Sequence, residues 1–246
     1  MRQRSSPCLV RGARALALAA GLLALSATAA ARADELKPFE ASYNWIWHGL
    51  TVAASSLKLE KSDDTWRYTA KSDPRGIGRA FSERPRQVSV VRVTPQGVQP
   101  QSYKADDGTG SSKRTIDLRY DWQNHRVTGV YERTPVDLPL TPEVQDDASI
   151  QLALMVELLA GRTPERFNLI DKNAVREYRY AREGEATLQT PLGAMHTIVY
   201  RAQKAYSPRV TRFWCAPERG YVPMKVEQTK GSDVQWTMQI QSLTRN

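Results

Sequence analysis

Residues 209–243 read RVTRFWCA, PERG, YVPMKVEQT, KGSD and VQWTMQIQSL in succession: three alternating segments separated by two short polar stretches. In the last segment Val234, Trp236, Met238 and Ile240 occupy every second position, and Gln235, Thr237, Gln239 and Gln241 stand between them. Successive side chains of a strand point to opposite faces, so this spacing describes a sheet with one apolar and one polar side. PERG and KGSD carry the Pro and Gly that favour chain reversal. The stretch therefore predicts three consecutive antiparallel strands.

The same pattern runs through the rest of the chain. Phe39, Ala41, Tyr43, Trp45 and Trp47 share one face of a first strand, and His48-Gly49 turns it into a second strand over 50–60. After Ser62-Asp63-Asp64, Trp66, Tyr68 and Ala70 alternate on a third. An irregular basic stretch, DPRGIGRAFSERPR at 73–86, interrupts the series. Strands resume at 87–93 and 98–104, at 116–122 with Ile116, Leu118, Tyr120 and Trp122 on one face, and at 127–132. Further strands are expected at 167–170, 174–181, 186–190 and 194–205, with REGE and TPLG as turns between the later ones. Short strands at hairpin spacing favour an antiparallel meander over βαβ units.

One segment breaks the pattern. Between Pro142 and Gly161, Leu152, Met155, Val156 and Leu159 form one stripe at helical spacing, and Ile150, Leu154 and Leu158 form a second. Asp146 or Asp147 can cap this helix, expected over about 147–160, and Gly161 can end it. A helix apolar around most of its circumference is buried on more than one side. In a β-rich chain its expected place is across the concave face or mouth of a curved sheet. The fold expected is mainly β: one antiparallel curved sheet, half-barrel or barrel, with one buried helix.

The N-terminus reads as a targeting segment. Arg2, Arg4, Arg11 and Arg14 precede an Ala/Leu-rich run at 15–30, and Ala31-Arg32-Ala33 places small residues where a signal peptidase reads. This is the layout of a cleaved secretory signal peptide at 1–33, followed by a single β-rich domain at 34–246 in the periplasm. The apolar run is shorter than the roughly 20 residues that span a bilayer. Cys8 precedes it, whereas a lipidated cysteine would follow it. Five of the 35 Lys and Arg lie within 1–33, leaving 30 against 26 acidic residues, so the net charge falls from +9 to +4. That mild surplus does not indicate nucleic acid. Only Cys215 remains after cleavage, so no internal disulfide is available, and its place in an alternating strand marks it as a small buried residue.

The closing unit, TRFWCAPERGYVPMKVEQ followed by WTMQIQSL, resembles the exported bacterial family known as domain of unknown function 3108. The points of resemblance are Phe213-Trp214 at a strand end, a Pro-Glu turn, Tyr-x-Pro and a charged strand. A helix starting at Asp147 with Ser149, Gln151 and Leu152, and a strand-rich N-terminal half, are similar as well. The resemblance implies a periplasmic β-rich domain and transfers no catalytic residue.

Candidate chemistry is sparse. His48, His125 and His196 lack the i, i+4 spacing of a helical metal site and have no cysteine near them. The carboxylate pairs Asp63-Asp64, Asp106-Asp107 and Asp146-Asp147 are what a glycosidase needs, but each falls in a turn or at a helix start, where Asp is favoured for backbone reasons. Gly76-Ile77-Gly78 lacks the third glycine and the βαβ setting of a phosphate loop. No metal and no cofactor is expected. The tryptophans Trp45, Trp47, Trp66, Trp122, Trp214 and Trp236 are either core or the lining of a ligand cavity, gated by the helix with Met155 and by the 73–86 stretch. Arg75, Arg79 and Arg84 would then meet an acidic or lipid head group at the rim. The leading expectation is a non-enzymatic periplasmic protein that binds a hydrophobic or lipid-like molecule. A periplasmic hydrolase and an envelope scaffold that docks protein partners through a sheet edge are the alternatives.

Overall fold

The computed structural model describes residues 35–80 and 83–245; the signal peptide expected at 1–33 lies outside them. Fifteen strands follow in chain order: β1 (Phe39–Trp47), β2 (Leu50–Ser62), β3 (Thr65–Pro74), β4 (Arg86–Thr94), β5 (Gly97–Asp106), β6 (Ile116–Asp121), β7 (Arg126–Tyr131), β8 (Thr134–Pro139), β9 (Val144–Gln145), β10 (Arg166–Asp171), β11 (Ala174–Thr190), β12 (Gly193–Lys204), β13 (Arg209–Ala216), β14 (Val222–Lys230) and β15 (Asp233–Arg245). The helix, α1 (Ser149–Leu159), lies between β9 and β10. All strands belong to one sheet ordered β8-β7-β6-β5-β4-β3-β2-β1-β15-β14-β13-β12-β11-β10-β9. The first and last strands pair in its middle, and two meanders extend from them as arms. The sheet is curved and does not close, since β8 and β9 are its two free edges.

The expected alternation holds where it was strongest, and bulges maintain it. On β15, Met238 and Ile240 are buried, and Leu243 packs against the same core although it lies an odd number of residues further on. The β1–β15 pairing explains this: Tyr43 faces Ile240 but Ser42 faces Ser242, so one residue of β15 is extra and the faces are restored beyond it. The REGE segment expected as a turn is another bulge. β11 runs unbroken through it, with Arg182 opposite Tyr200 and Gly184 opposite Val199, and Gly184 at φ 153° absorbs the irregularity. The surrounding charges, Arg182–Glu185 and Arg212–Glu183, pair outside the core and made the segment look like a polar turn.

Sequence alternation did not reveal β8, because its sequence TPVDLP holds two prolines. Pro cannot donate to a ladder and is confined to edges, which is where β8 lies. The opposite edge, β9, is only two residues long. Both edges are thus poor templates for pairing with another chain.

Helix α1 lies within the core, as its two stripes required. Leu152, Ala153, Leu154, Met155, Leu158 and Leu159 are all buried and join one cluster with strand residues from both arms, among them Tyr43, Leu59, Val91, Leu118, Phe167 and Ile240. Its attachment is to the N-terminal arm: Tyr68 on β3 donates to Gln151 Oε1 (3.0 Å), and the Ser89 hydroxyl on β4 donates to Asp146 Oδ2 (2.9 Å). Of the two capping candidates, Asp146 performs the task. Its Oδ1 accepts from the backbone N–H groups of Ala148 (3.0 Å) and Ser149 (2.7 Å), satisfying donors that the first helical turn leaves free.

Candidate functional site

At the sheet end where β4 turns into β5 and β6 into β7, the chain encloses a cleft of about 850 Å3. Val98, Trp122, Leu140, Ala153 and Phe167 supply apolar surface; Gln145, Glu157 and Arg162 supply polar groups. Helix α1 forms one wall through Ala153 and Glu157. The Trp122 ring is held by its Nε1–H, which donates to the Pro100 carbonyl (2.6 Å). Gln145 is buried and spans the opening of the sheet: its Nε2 donates to the Val98 carbonyl (2.9 Å), while Oε1 has no partner among the described residues. At the rim, Arg162 grips Glu157 through two hydrogen bonds of 2.7 and 2.8 Å, a fork that fixes both side chains.

Deeper along the same strands lies a second cluster, and it shares no residue with the lining of the cleft. β9 runs parallel to β10, pairing Val144 with Asn168 and Gln145 with Leu169; just beyond this pairing, Asp147 and Asp171 are close enough for their charges to interact. Asp147 is exposed at the surface. Desolvation, followed by the Asp171 charge, raises its carboxyl to about 6. Asp146 is sealed, and desolvation lifts it further, to about 7, against the lowering effect of the hydrogen bonds from Ser149, Ser89 and Ala148. The N-terminal arm contributes Tyr103, Tyr120 and Tyr131 and the C-terminal arm Tyr178. Burial raises all four hydroxyls, and the Asp147 charge raises each further. The hydroxyls of Tyr103 and Tyr120 have no hydrogen-bond partner among the described residues. Lys204 completes the group, with Nζ 2.8 Å from Asp171 Oδ2.

The residues singled out from the sequence are spread over the fold. Trp122 lines the cleft, and Met155 is buried behind the helix face that forms its wall. Trp45 and Trp236 pack against each other at a tilt of 45° with centroids 4.8 Å apart, and Trp66 is buried under the Lys61 ammonium. Trp214 stands outside the core, with Lys225 Nζ 4.4 Å from its ring centre, and Trp47 is exposed at the end of β1. Arg75 precedes a short 3-10 turn, Gly76–Ala80, and Arg79 lies within it, both exposed and at the opposite strand end from the cleft; the Arg84 backbone N–H donates to the Asp107 carbonyl (2.7 Å). The structure therefore brings Trp122 and the Met155 helix to the cleft, and places the other candidates away from it.

The chemical candidates separate likewise. Asp64 pairs with Arg92 (3.0 Å), and Asp106 and Asp107 accept backbone N–H groups of their own turn. His48 and His125 occupy turns with positive φ, and His196 pairs with Glu185 (3.0 Å). Cys215 is fully buried among tyrosines, and burial pushes its thiol up, away from reactivity. Gln145 and the Glu157–Arg162 pair carried no signal of a site in the sequence beyond Glu157 being the one charge on an apolar helix.

An unclosed antiparallel half-barrel clasping one apolar helix defines the class of fold. The match of residues 39–235 to the model of the protein of unknown function DUF3108 places the chain in that family. Among solved structures, the chain is similar to a beta-barrel-like protein of the domain of unknown function DUF1849 from Brucella abortus, with a TM-score of 0.54 and 11% identity over 86% of this chain and 99% of the other. It is also similar, at a TM-score of 0.39 and 10% identity over 85% of this chain and 97% of the other, to a protein with a YmcC-like fold from Bacteroides fragilis. At these identities the likeness concerns the fold alone. No curated protein matches the chain. Among the described residues, no helix is long and apolar enough to cross a membrane.

Proposed function

We propose that this is an exported periplasmic protein, released from residues 1–33, that acts without catalysis by holding a hydrophobic or lipid-like molecule in the cleft beside α1. The observation that carries this reading is the cleft itself. Its volume of about 850 Å3 falls in the range of small-molecule sites, and its surface joins apolar side chains to a few fixed polar groups. Trp122 and Phe167 offer flat apolar contact, Gln145 Oε1 offers an unused acceptor, and the Glu157–Arg162 fork offers charge at the rim. A molecule with an apolar body and one polar end fits that distribution. Scaffolding through a sheet edge is disfavoured by the prolines of β8 and the brevity of β9.

Gln99 lines the cleft and is half-buried, so Gln99→Trp fills it without disturbing the core. Native mass spectrometry of protein isolated gently from the periplasm should show a bound species in the wild type, and at least a tenfold smaller bound fraction in Gln99→Trp. Wild-type protein that arrives unliganded, or equal loading of the two proteins, would count decisively against the proposal.

A further inference from the structure

Seven large apolar side chains are well exposed among the described residues, and four of them meet at one place. Trp47 (49% exposed) and Leu50 (53%) face each other in register across the β1–β2 turn. Val234 (47%) lies next to that turn, sharing a shallow depression with His48 and Gly49. Ile77 (55%) is carried by the 3-10 turn, which is pinned to β2 by the Arg75 N–H donating to the Val52 carbonyl (2.8 Å). Gly78 permits this seat, since a Cβ there would lie 1.9 Å from the Val52 carbonyl oxygen. The remaining three, Val93, Val130 and Tyr206, stand on other strands and turns. Scattered exposed apolar residues are ordinary; four gathered at one tip are not.

The charged groups at this tip, Arg75, Arg79 and Lys230 against Asp73 and Asp233, leave a small positive surplus. Arg75 and Arg79 flank Ile77, both exposed, and neither forms an ion pair with a described residue. Of the nearby acids, Asp233 faces Lys230 across the β14–β15 turn, and Asp73 stands on β3. A tryptophan and aliphatic side chains projecting from a turn, flanked by arginines without carboxylate partners, match a bilayer surface: the apolar groups enter the boundary of head groups and acyl chains, and the guanidinium groups meet lipid phosphates. We propose that this tip docks the protein peripherally onto an anionic lipid bilayer. The turns at the tip lie at the opposite strand end from those lining the cleft, so the inference stands independently of any ligand held there.

The test uses the chain without residues 1–33, whose sheet and core lie in the remainder, and vesicles of phosphatidylglycerol and phosphatidylcholine in equal parts, with pure phosphatidylcholine as the comparison. Co-sedimentation is expected with the anionic vesicles and at least tenfold less with the neutral ones, falling as salt rises. Each arginine near such a surface contributes a factor of about five, so Arg75→Gln with Arg79→Gln should weaken partitioning about 25-fold. Trp47→Ser with Leu50→Ser should abolish it; both side chains are exposed, so the fold tolerates the change. Trp47→Phe should still sediment but lose most of the tryptophan quenching by brominated lipids. Equal partitioning to both vesicle types, wild-type binding by the double variants, or a tip that instead mediates self-association abolished by Trp47→Ser would each overturn the proposal.

Discussion

Replacing Asp146 with Asn should leave the protein about as stable as the wild type at pH 4 and make it more stable than the wild type at pH 8. The reason is the sealed carboxyl, held at about 7 by burial against an ordinary value of 3.8. A raised native pKa means that, between about pH 4 and 7, the folded state keeps a proton that the unfolded chain has released. The stabilisation is complete at the acidic end of that window and is lost as pH rises through it, with a slope of at most about 1.4 kcal/mol per pH unit for one group. Asparagine keeps the oxygen that caps Ala148 and Ser149 and carries no charge to desolvate, so its stability should not share that slope. Asp146→Ala differs: it removes the cap and leaves the Ser89 hydroxyl and two backbone donors without their acceptor. At pH 4 it should cost about 3 kcal/mol, the sum of a lost N-cap and of buried groups left unpaired. Urea melts of the three proteins between pH 4 and 8 are sufficient. A wild-type stability that does not decline with pH, or an Asn variant with an unchanged slope, would refute the assignment.

Gly129→Ala is expected to cost about 3 kcal/mol or more, through backbone strain and a clash that the sheet cannot relieve locally. Glycine inside a strand is ordinarily a weakness, and alanine there would normally be neutral or slightly stabilising. At this position the sign reverses. Gly129 sits at φ 143° on β7 opposite Leu118, and a Cβ would lie 2.0 Å from the Asp117 carbonyl oxygen. That oxygen belongs to backbone, so relief requires β6 and β7 to separate, exposing Leu118 and Val127, which are otherwise fully buried. A melting temperature within a degree or two of the wild type would contradict this account.

These two positions also show how far the fold was legible in the sequence. Alternating strands and a helix apolar on nearly all sides were visible because burial on one face, or on all, leaves a period in the side chains. The interior of the half-barrel and the helix within it follow from that. Asp146 was visible as one of two capping candidates, but the choice between them depends on Ser89, 57 residues away in the chain. Prolines concealed β8, and charges around a bulge made β11 look like two strands. The cleft was harder still. Of its lining only Trp122 stood out, because Gln99, Gln145 and Arg162 are ordinary polar residues until the meander folds their turns to the same end. Trp47, Arg75 and Arg79 were readable as candidates, yet in the structure they lie at the other end of the sheet. Periodicity reports which face a side chain takes and is silent on which end of a strand becomes a site.

Pairing β1 with β15 has a consequence for how the molecule is made. Ser42 and Ser242 meet at 2.6 Å across the centre of the sheet although 200 residues separate them. Within each arm, neighbouring strands are mostly joined by tight turns, so each meander can grow by local steps as the chain emerges. The seam joining them waits for the final strand, and its closure carries the entropic cost of the longest loop in the molecule. Until then Tyr43 and Leu57 in one half and Val226 in the other lack part of their cover. A chain whose β1–β15 seam has not yet formed is therefore a pair of half-built sheets with adhesive margins, and it is β15, by filling the gap between them, that converts two aggregation-prone pieces into one sheet.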